Sequence, residues 1–68
     1  MLQQQVGRRI KFLRNSQNIS QEKLALMADI DRTYLAGTES GKRNISLKSL
    51  EKIINALGVS IEDFFLKI

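Results

Sequence analysis

No cysteine and no histidine occur among the 68 residues. Disulfides are therefore excluded, and so are the thiolate and imidazole donors from which a zinc site is built. The same two absences remove the thiolate nucleophile and the commonest general base. Proline is missing as well, and neither a linker nor a low-complexity stretch marks off a second domain. No apolar run approaches the roughly 18–20 residues of a membrane span, and the start, MLQQQVGRR, lacks the apolar centre of a signal peptide. A cytoplasmic protein with no membrane partner is the expectation. Residues 1–68 then read as one small domain. A domain of this size buries only about 60% of its unfolded surface and is marginal unless something supplements its core. With disulfides and metals gone, dimerisation is the common supplement that remains.

The composition that is present is ordinary for a globular chain, with 43% hydrophobic residues. A net charge of +4 and a pI near 9.9 favour an anionic partner, nucleic acid first. Carboxylates are few. Those at Asp31, Glu62 and Asp63 suit helix N-termini, where negative charge is stabilised. There is no glycine-rich phosphate loop. No enzyme, no cofactor, no metal and no small-molecule ligand are expected.

The fold class expected is all-α, with helices over 2–16, 21–28, 32–40, 47–57 and 61–67 and no period-2 strand. Val6, Ile10 and Leu13 form an inward stripe on the first helix. Asn18 suits the left-handed turn that follows it. The next four helices repeat one local pattern. An apolar residue precedes a capping side chain, and a second apolar residue lies four positions after the cap. The sets are Ile19, Ser20 and Leu24; Ile30, Asp31 and Leu35; Ile45, Ser46 and Leu50; Val59, Ser60 and Phe64. The cap oxygen accepts from a first-turn N–H, and the apolar pair fixes the angle at which the chain enters the helix. Asp63, three after Ser60, is expected to return a capping-box contact. Leu47, Leu50, Ile53, Ile54 and Leu57 are expected to face inward on the fourth helix, with Ile61 and Phe64 doing so on the fifth. Gly41 and Gly58 stop the third and fourth helices.

Only Asp29 and Ile30 separate the second and third helices, so the third leaves at a steep angle. Helix, tight turn, helix at this length is the geometry that lays a second helix in a DNA major groove. The run SQEKLALMADIDRTYLAGTESGKRNISLKSLEKIINALGVSIEDFF resembles the helix-turn-helix family of phage repressors and Cro proteins. The opening VGRRIKFLR resembles that family's first helix. The match takes in caps, turn, glycine stops and core positions in order, over nearly the whole chain. Within the family, DRTYLAGTESGKRNISLKSLEKI is most similar to the controller proteins of restriction–modification systems. The resemblance implies a compact five-helix, lambda-repressor-like DNA-binding domain. It also implies a dimeric, sequence-specific transcription regulator. Two positions depart from the family pattern: Asp29 stands where glycine is usual, and Thr38 where a branched aliphatic residue is. The second departure suggests looser packing beneath the third helix.

The resemblance carries site residues with it. Arg32, Thr33, Ala36 and Gly37 match the positions that face base edges. The chemistry agrees, since Arg32 can donate twice to guanine O6 and N7 and the Thr33 methyl can meet a thymine methyl. Gln21 matches the residue that grips a phosphate and braces the recognition helix. Lys42, Arg43 and Asn44 match a loop that touches the sugar–phosphate backbone, and Tyr34 and Ser46 are further backbone candidates. Arg14 and Glu39 resemble a buried structural ion pair.

The final segment, IEDFFLKI, holds more large apolar residues than one short helix can bury. Ile61, Phe64, Phe65, Leu66 and Ile68 are the candidates for a homodimer interface on the C-terminal helix. A two-fold dimer would set two recognition helices about 34 Å apart on a palindromic operator in double-stranded DNA. Phe12, off the inward stripe, could join either packing or interface. The alternatives are an antitoxin-type or phage-type repressor of the same fold, or a protein-interaction adaptor that no longer binds DNA.

Overall fold

The computed structural model describes residues 1–68, which form five helices and no strand. They are α1 (Leu2–Ser16), α2 (Gln21–Ala28), α3 (Arg32–Glu39), α4 (Leu47–Leu57) and α5 (Ile61–Leu66). Helices α3 and α5 each end one residue earlier than the sequence pattern suggests.

All four repeated helix starts close as local chemistry dictates. Ser20 Oγ accepts from the Lys23 N–H at 3.0 Å, and Asp31 Oδ2 from the Tyr34 N–H at 3.1 Å. Ser46 Oγ accepts from the Ser49 N–H at 3.1 Å, and Ser60 Oγ from the Asp63 N–H at 3.0 Å. The preceding Ile19, Ile30, Ile45 and Val59 all pack on the core. Their partners Leu24, Leu35, Leu50 and Phe64 are buried. Each cap is worth about 0.5–2 kcal/mol. The expected capping-box return from Asp63 does not form. Its carbonyl oxygen instead accepts from Arg9 Nη2 at 2.8 Å.

Two turns use non-glycine residues in the left-handed region, Asn18 at φ 58° and Asp29 at φ 56°. Asp29 closes α2, its N–H donating to the carbonyls of Ala25 and Leu26. Asparagine and aspartate adopt this conformation more readily than other side chains, so the tight turn survives without glycine.

Val6, Ile10 and Leu13 of α1 meet Leu24, Ala25 and Ala28 of α2, Leu35 of α3, and Leu50, Ile53, Ile54 and Leu57 of α4. Phe64 closes the core from α5 with no exposed surface. Two expectations fail here. Leu47 is 85% exposed and Ile61 58% exposed, so neither belongs to the core. Both stand at the first position of their helix, where the apolar stripe runs past the edge of what the rest of the chain covers.

α1 does more than contribute a stripe. Polar side chains of α1 and of Gln17, the residue that ends it, satisfy carbonyls that helix ends leave without partners. Gln17 Nε2 donates to Leu57 O at 2.7 Å, and Arg9 Nε to Phe64 O at 2.8 Å. The helix also approaches α3 closely at Gly7, where a methyl group would collide with the Thr38 carbonyl and lie 3.0 Å from that of Glu39. Thr38 itself is buried, its hydroxyl donating to Tyr34 O at 2.9 Å. The looser packing expected at this position is therefore absent.

Candidate nucleic-acid interface

The buried residues of α3 are Leu35, Thr38 and Glu39. At 100° per residue their direction leaves Thr33, Ala36 and Gly37 on the opposite side. Arg32 and Thr33 are exposed at the N-terminal end, and Ala36 and Gly37 are half-buried. Neither the Arg32 nor the Thr33 side chain is committed to a hydrogen bond within the chain. Asp31, by contrast, is engaged as the cap, which accounts for a carboxylate beside a basic surface.

Glu39, at the other end of α3, anchors the helix to the body. Arg14 Nε and Nη2 donate to its two oxygens at 2.7 and 2.9 Å, a bidentate pair with side-chain exposures of 10% and 2%. Hydrogen bonding to Glu39 holds the Arg14 guanidinium above its usual value; burial opposes this and the glutamate's charge adds to it. Arg14 Nη1 donates to Ile19 O at 2.9 Å. Gln21 Nε2 donates to Glu39 Oε1 at 3.1 Å. Half-buried at the start of α2, Gln21 thus ties that helix to the same carboxylate. One N–H of its amide and the free backbone N–H groups of the helix start are left for an anion.

After α3 the chain turns through Gly41 at φ 79°. The N–H groups of Lys42 and Arg43 both donate to Gly37 O, at 3.0 and 3.2 Å. This folds the basic loop back against the second turn of α3. Lys42, Arg43 and Asn44 are all exposed. The Arg43 guanidinium lies over the Tyr34 ring, 5.0 Å from its centroid. Tyr34 Oη accepts from the Ser46 N–H at 3.1 Å. Burial pushes the Tyr34 phenol up, but the Ser46 N–H, the Ser49 and Ser46 hydroxyls and the Arg43 charge together bring it below its ordinary value. Tyr34 and Ser46 therefore have polar groups committed internally. The Tyr34 hydroxyl proton remains available, while Ser46 Oγ is occupied as a cap and pairs with Ser49 Oγ at 3.0 Å.

The five residues expected to form a dimer interface divide four ways. Phe64 is core and is not available to a partner. Ile61 and Phe65 join Leu47, Leu50 and Ile54 in an apolar groove of about 320 Å³ between α4 and α5, bordered by Lys48 and Glu51. Ile68 lies in a separate cleft with Phe12, Arg8 and Arg9, and Leu66 projects outward. Leu47 was missed as a surface residue. Its stripe position is indistinguishable in sequence from a core one.

Residues 10–64 match the helix-turn-helix family. The chain is 45% identical over 60 residues to the control protein C.MunI of Mycoplasma sp, spanning 87% of this chain and 81% of that one. It is 48% identical over 58 residues to the control protein C.BamHI of Bacillus amyloliquefaciens, spanning 84% and 72%. In three dimensions it is similar to the restriction–modification controller protein C.Esp1396I, with a TM-score of 0.94, 40% identity and coverage of 98% of this chain and 88% of that one. It also matches the C.Esp1396I tetramer in complex with its natural 35 base-pair operator, with a TM-score of 0.93 and 40% identity over 98% and 88% of the two chains.

Proposed function

The chain belongs to the helix-turn-helix family, and we propose that it is a transcription regulator, of the restriction–modification controller kind, that binds a palindromic operator in double-stranded DNA as a homodimer in the cytoplasm. The observation that carries this reading is the free outer side of α3. Arg32 and Thr33 stand exposed and uncommitted at its start, while Glu39 at its far end is locked to Arg14 and Gln21. A rigid helix held at its base and open at its tip suits insertion into the major groove.

Arg32 and Thr33 read base edges, with the small Ala36 beside them allowing close approach, whereas the open side of Gly37 is covered by the Arg43 side chain. Gln21, Lys42, Arg43 and Asn44 hold the sugar–phosphate backbone, and Tyr34 supports them. Ser46 is better explained as the α4 cap than as a DNA contact. A second copy of the chain covers the groove of Leu47, Ile61 and Phe65. These three apolar side chains are left exposed along one groove whose floor is Leu50 and Ile54, and a small domain gains from covering such a surface. The dimer surface is thus α4 with α5, rather than the last helix alone.

A gel shift with the DNA upstream of the protein's own gene tests the reading. Wild type should prefer that DNA over unrelated duplex at moderate salt. Arg32→Ala/Thr33→Ala should lose about 1–3 kcal/mol of discrimination per lost bidentate contact while retaining non-specific binding. Wild type without any preference would overturn the assignment.

A further inference from the structure

We infer that Gly37 is a positioning residue: by lacking a side chain it leaves a seat across the second turn of α3, and Arg43 occupies that seat so that its guanidinium is presented to DNA from the recognition helix. This rests on the DNA-binding reading above, and adds to it the residue that aims one of the basic groups.

A glycine inside a helix lowers helix stability relative to alanine, so its presence in α3 asks for a reason. Backbone freedom is not one, because only Gly41 and Gly58 among the glycines have positive φ. Close backbone approach is not one either. At Gly7 a methyl would strike the carbonyls of α3, whereas at Gly37 the nearest atoms are Arg43 Cβ and Nε, both 3.5 Å away. The only thing lying on Gly37 is the stem of that arginine. The stem continues to a guanidinium stacked on Tyr34, one helical turn earlier on α3. The ring is held in turn by the Ser46 N–H, and the start of the loop by the Gly37 carbonyl. Arg43 thus has its backbone, stem and head each fixed to α3. An arginine ordered before binding loses less rotamer freedom on contact than a free one. An alanine methyl would meet the stem at ordinary van der Waals distance. A longer side chain would compete for the same volume and drive Arg43 off Tyr34.

The test is a mutant cycle on the full chain. Binding to a labelled duplex of the upstream DNA is read by fluorescence anisotropy across a salt series. Gly37→Gln should weaken binding about tenfold, the scale of one charge-assisted hydrogen bond, and flatten the salt dependence by about 0.9 log units per log unit. Arg43→Ala should do the same, and the double variant should bind no more weakly than Arg43→Ala alone. Gly37→Ala should stay within about twofold of wild type, since its methyl fits. The inference is overturned if Gly37→Gln costs the same factor in the Arg43→Ala background, for then residue 37 meets DNA directly. It is equally overturned if Gly37→Gln costs nothing. In the free protein the Arg43 Nε–H resonance should carry a ring-current shift from Tyr34, lost in Gly37→Gln and kept in Gly37→Ala. Absence of that shift in wild type removes the seat whatever the DNA result, and a wild type that prefers no DNA overturns the functional reading without touching the seat. Should Gly37→Gln fail to fold, Tyr34→Leu replaces it, with non-additivity against Arg43→Ala as the supporting result and additivity as the refuting one.

Discussion

Removing Glu39 should be among the costliest single polar substitutions in this chain. Its two oxygens accept three hydrogen bonds, two from Arg14 and one from Gln21, and its side chain is 2% exposed. Glu39→Met leaves the Arg14 guanidinium buried without its counter-charge and strands the Gln21 amide. Breaking a buried pair from one side costs about 3–5 kcal/mol. At about 0.05–0.15 kcal/mol per residue, 68 residues hold roughly 3–10 kcal/mol in all, so the loss takes up much of the total. Each kcal/mol moves the midpoint of a domain this size by about 4–8 °C, which makes the fall roughly 12–40 °C or complete unfolding. Arg14→Met/Glu39→Met should recover to within about 2 kcal/mol of wild type, because an apolar pair of similar volume is close to neutral. Thermal and urea unfolding, followed by helical circular dichroism at one fixed protein concentration, measure wild type, Arg14→Met, Glu39→Met and the double variant. A single variant losing less than about 1 kcal/mol would refute this reasoning. So would a double variant whose loss equals the sum of the two singles.

Phe65→Asp should convert the dimer to a monomer in sedimentation while leaving the fold intact, since Phe65 is 38% exposed and lines the α4–α5 groove; a dimer that persists places the interface elsewhere. Tyr34 is the sole tyrosine and there is no tryptophan, so phenolate absorbance titrates it alone. Its midpoint should lie below the ordinary value of about 10 in the native protein and return to it in urea. A lowered native value means that this group's stabilisation is present above the unfolded midpoint and is lost as pH falls through the folded one; equal midpoints in the two states refute it. Gly7→Ala should destabilise by about 1–3 kcal/mol through overpacking against the carbonyls of α3, and an unchanged urea midpoint would show that α1 can shift aside freely.

Most of what is settled within five residues was legible in the sequence, the unformed return contact of Asp63 being the exception. The four capped and stapled helix starts are of this kind, because the donor, the acceptor and the apolar pair all lie in one turn. So are the left-handed turns at Asn18 and Asp29. Leu47 and Ile61 were misread for a physical reason. They continue real apolar stripes, and a stripe looks the same whether the chain itself or a second copy covers it. Ile61 and Phe64 each suit both core and interface in the sequence, and only their depth in the fold, 58% exposed against none, separates them. The arginine laid across Gly37 was not legible at all. It depends on a loop folding back onto α3, and nothing in the local pattern of KRN specifies that path. Arg9 and Gln17, which reach helix ends 55 and 40 residues away, show the same limit: long flexible side chains find partners that spacing cannot announce.

The four caps also bear on how quickly the chain finds its fold. Each is a bond between residues three apart, so helices α2 to α5 can all begin without waiting for distant segments to meet. Helical domains dominated by such short-range contacts reach the native state in microseconds to milliseconds. For the dimer proposed above, the step that depends on protein concentration is then the encounter of two already folded copies.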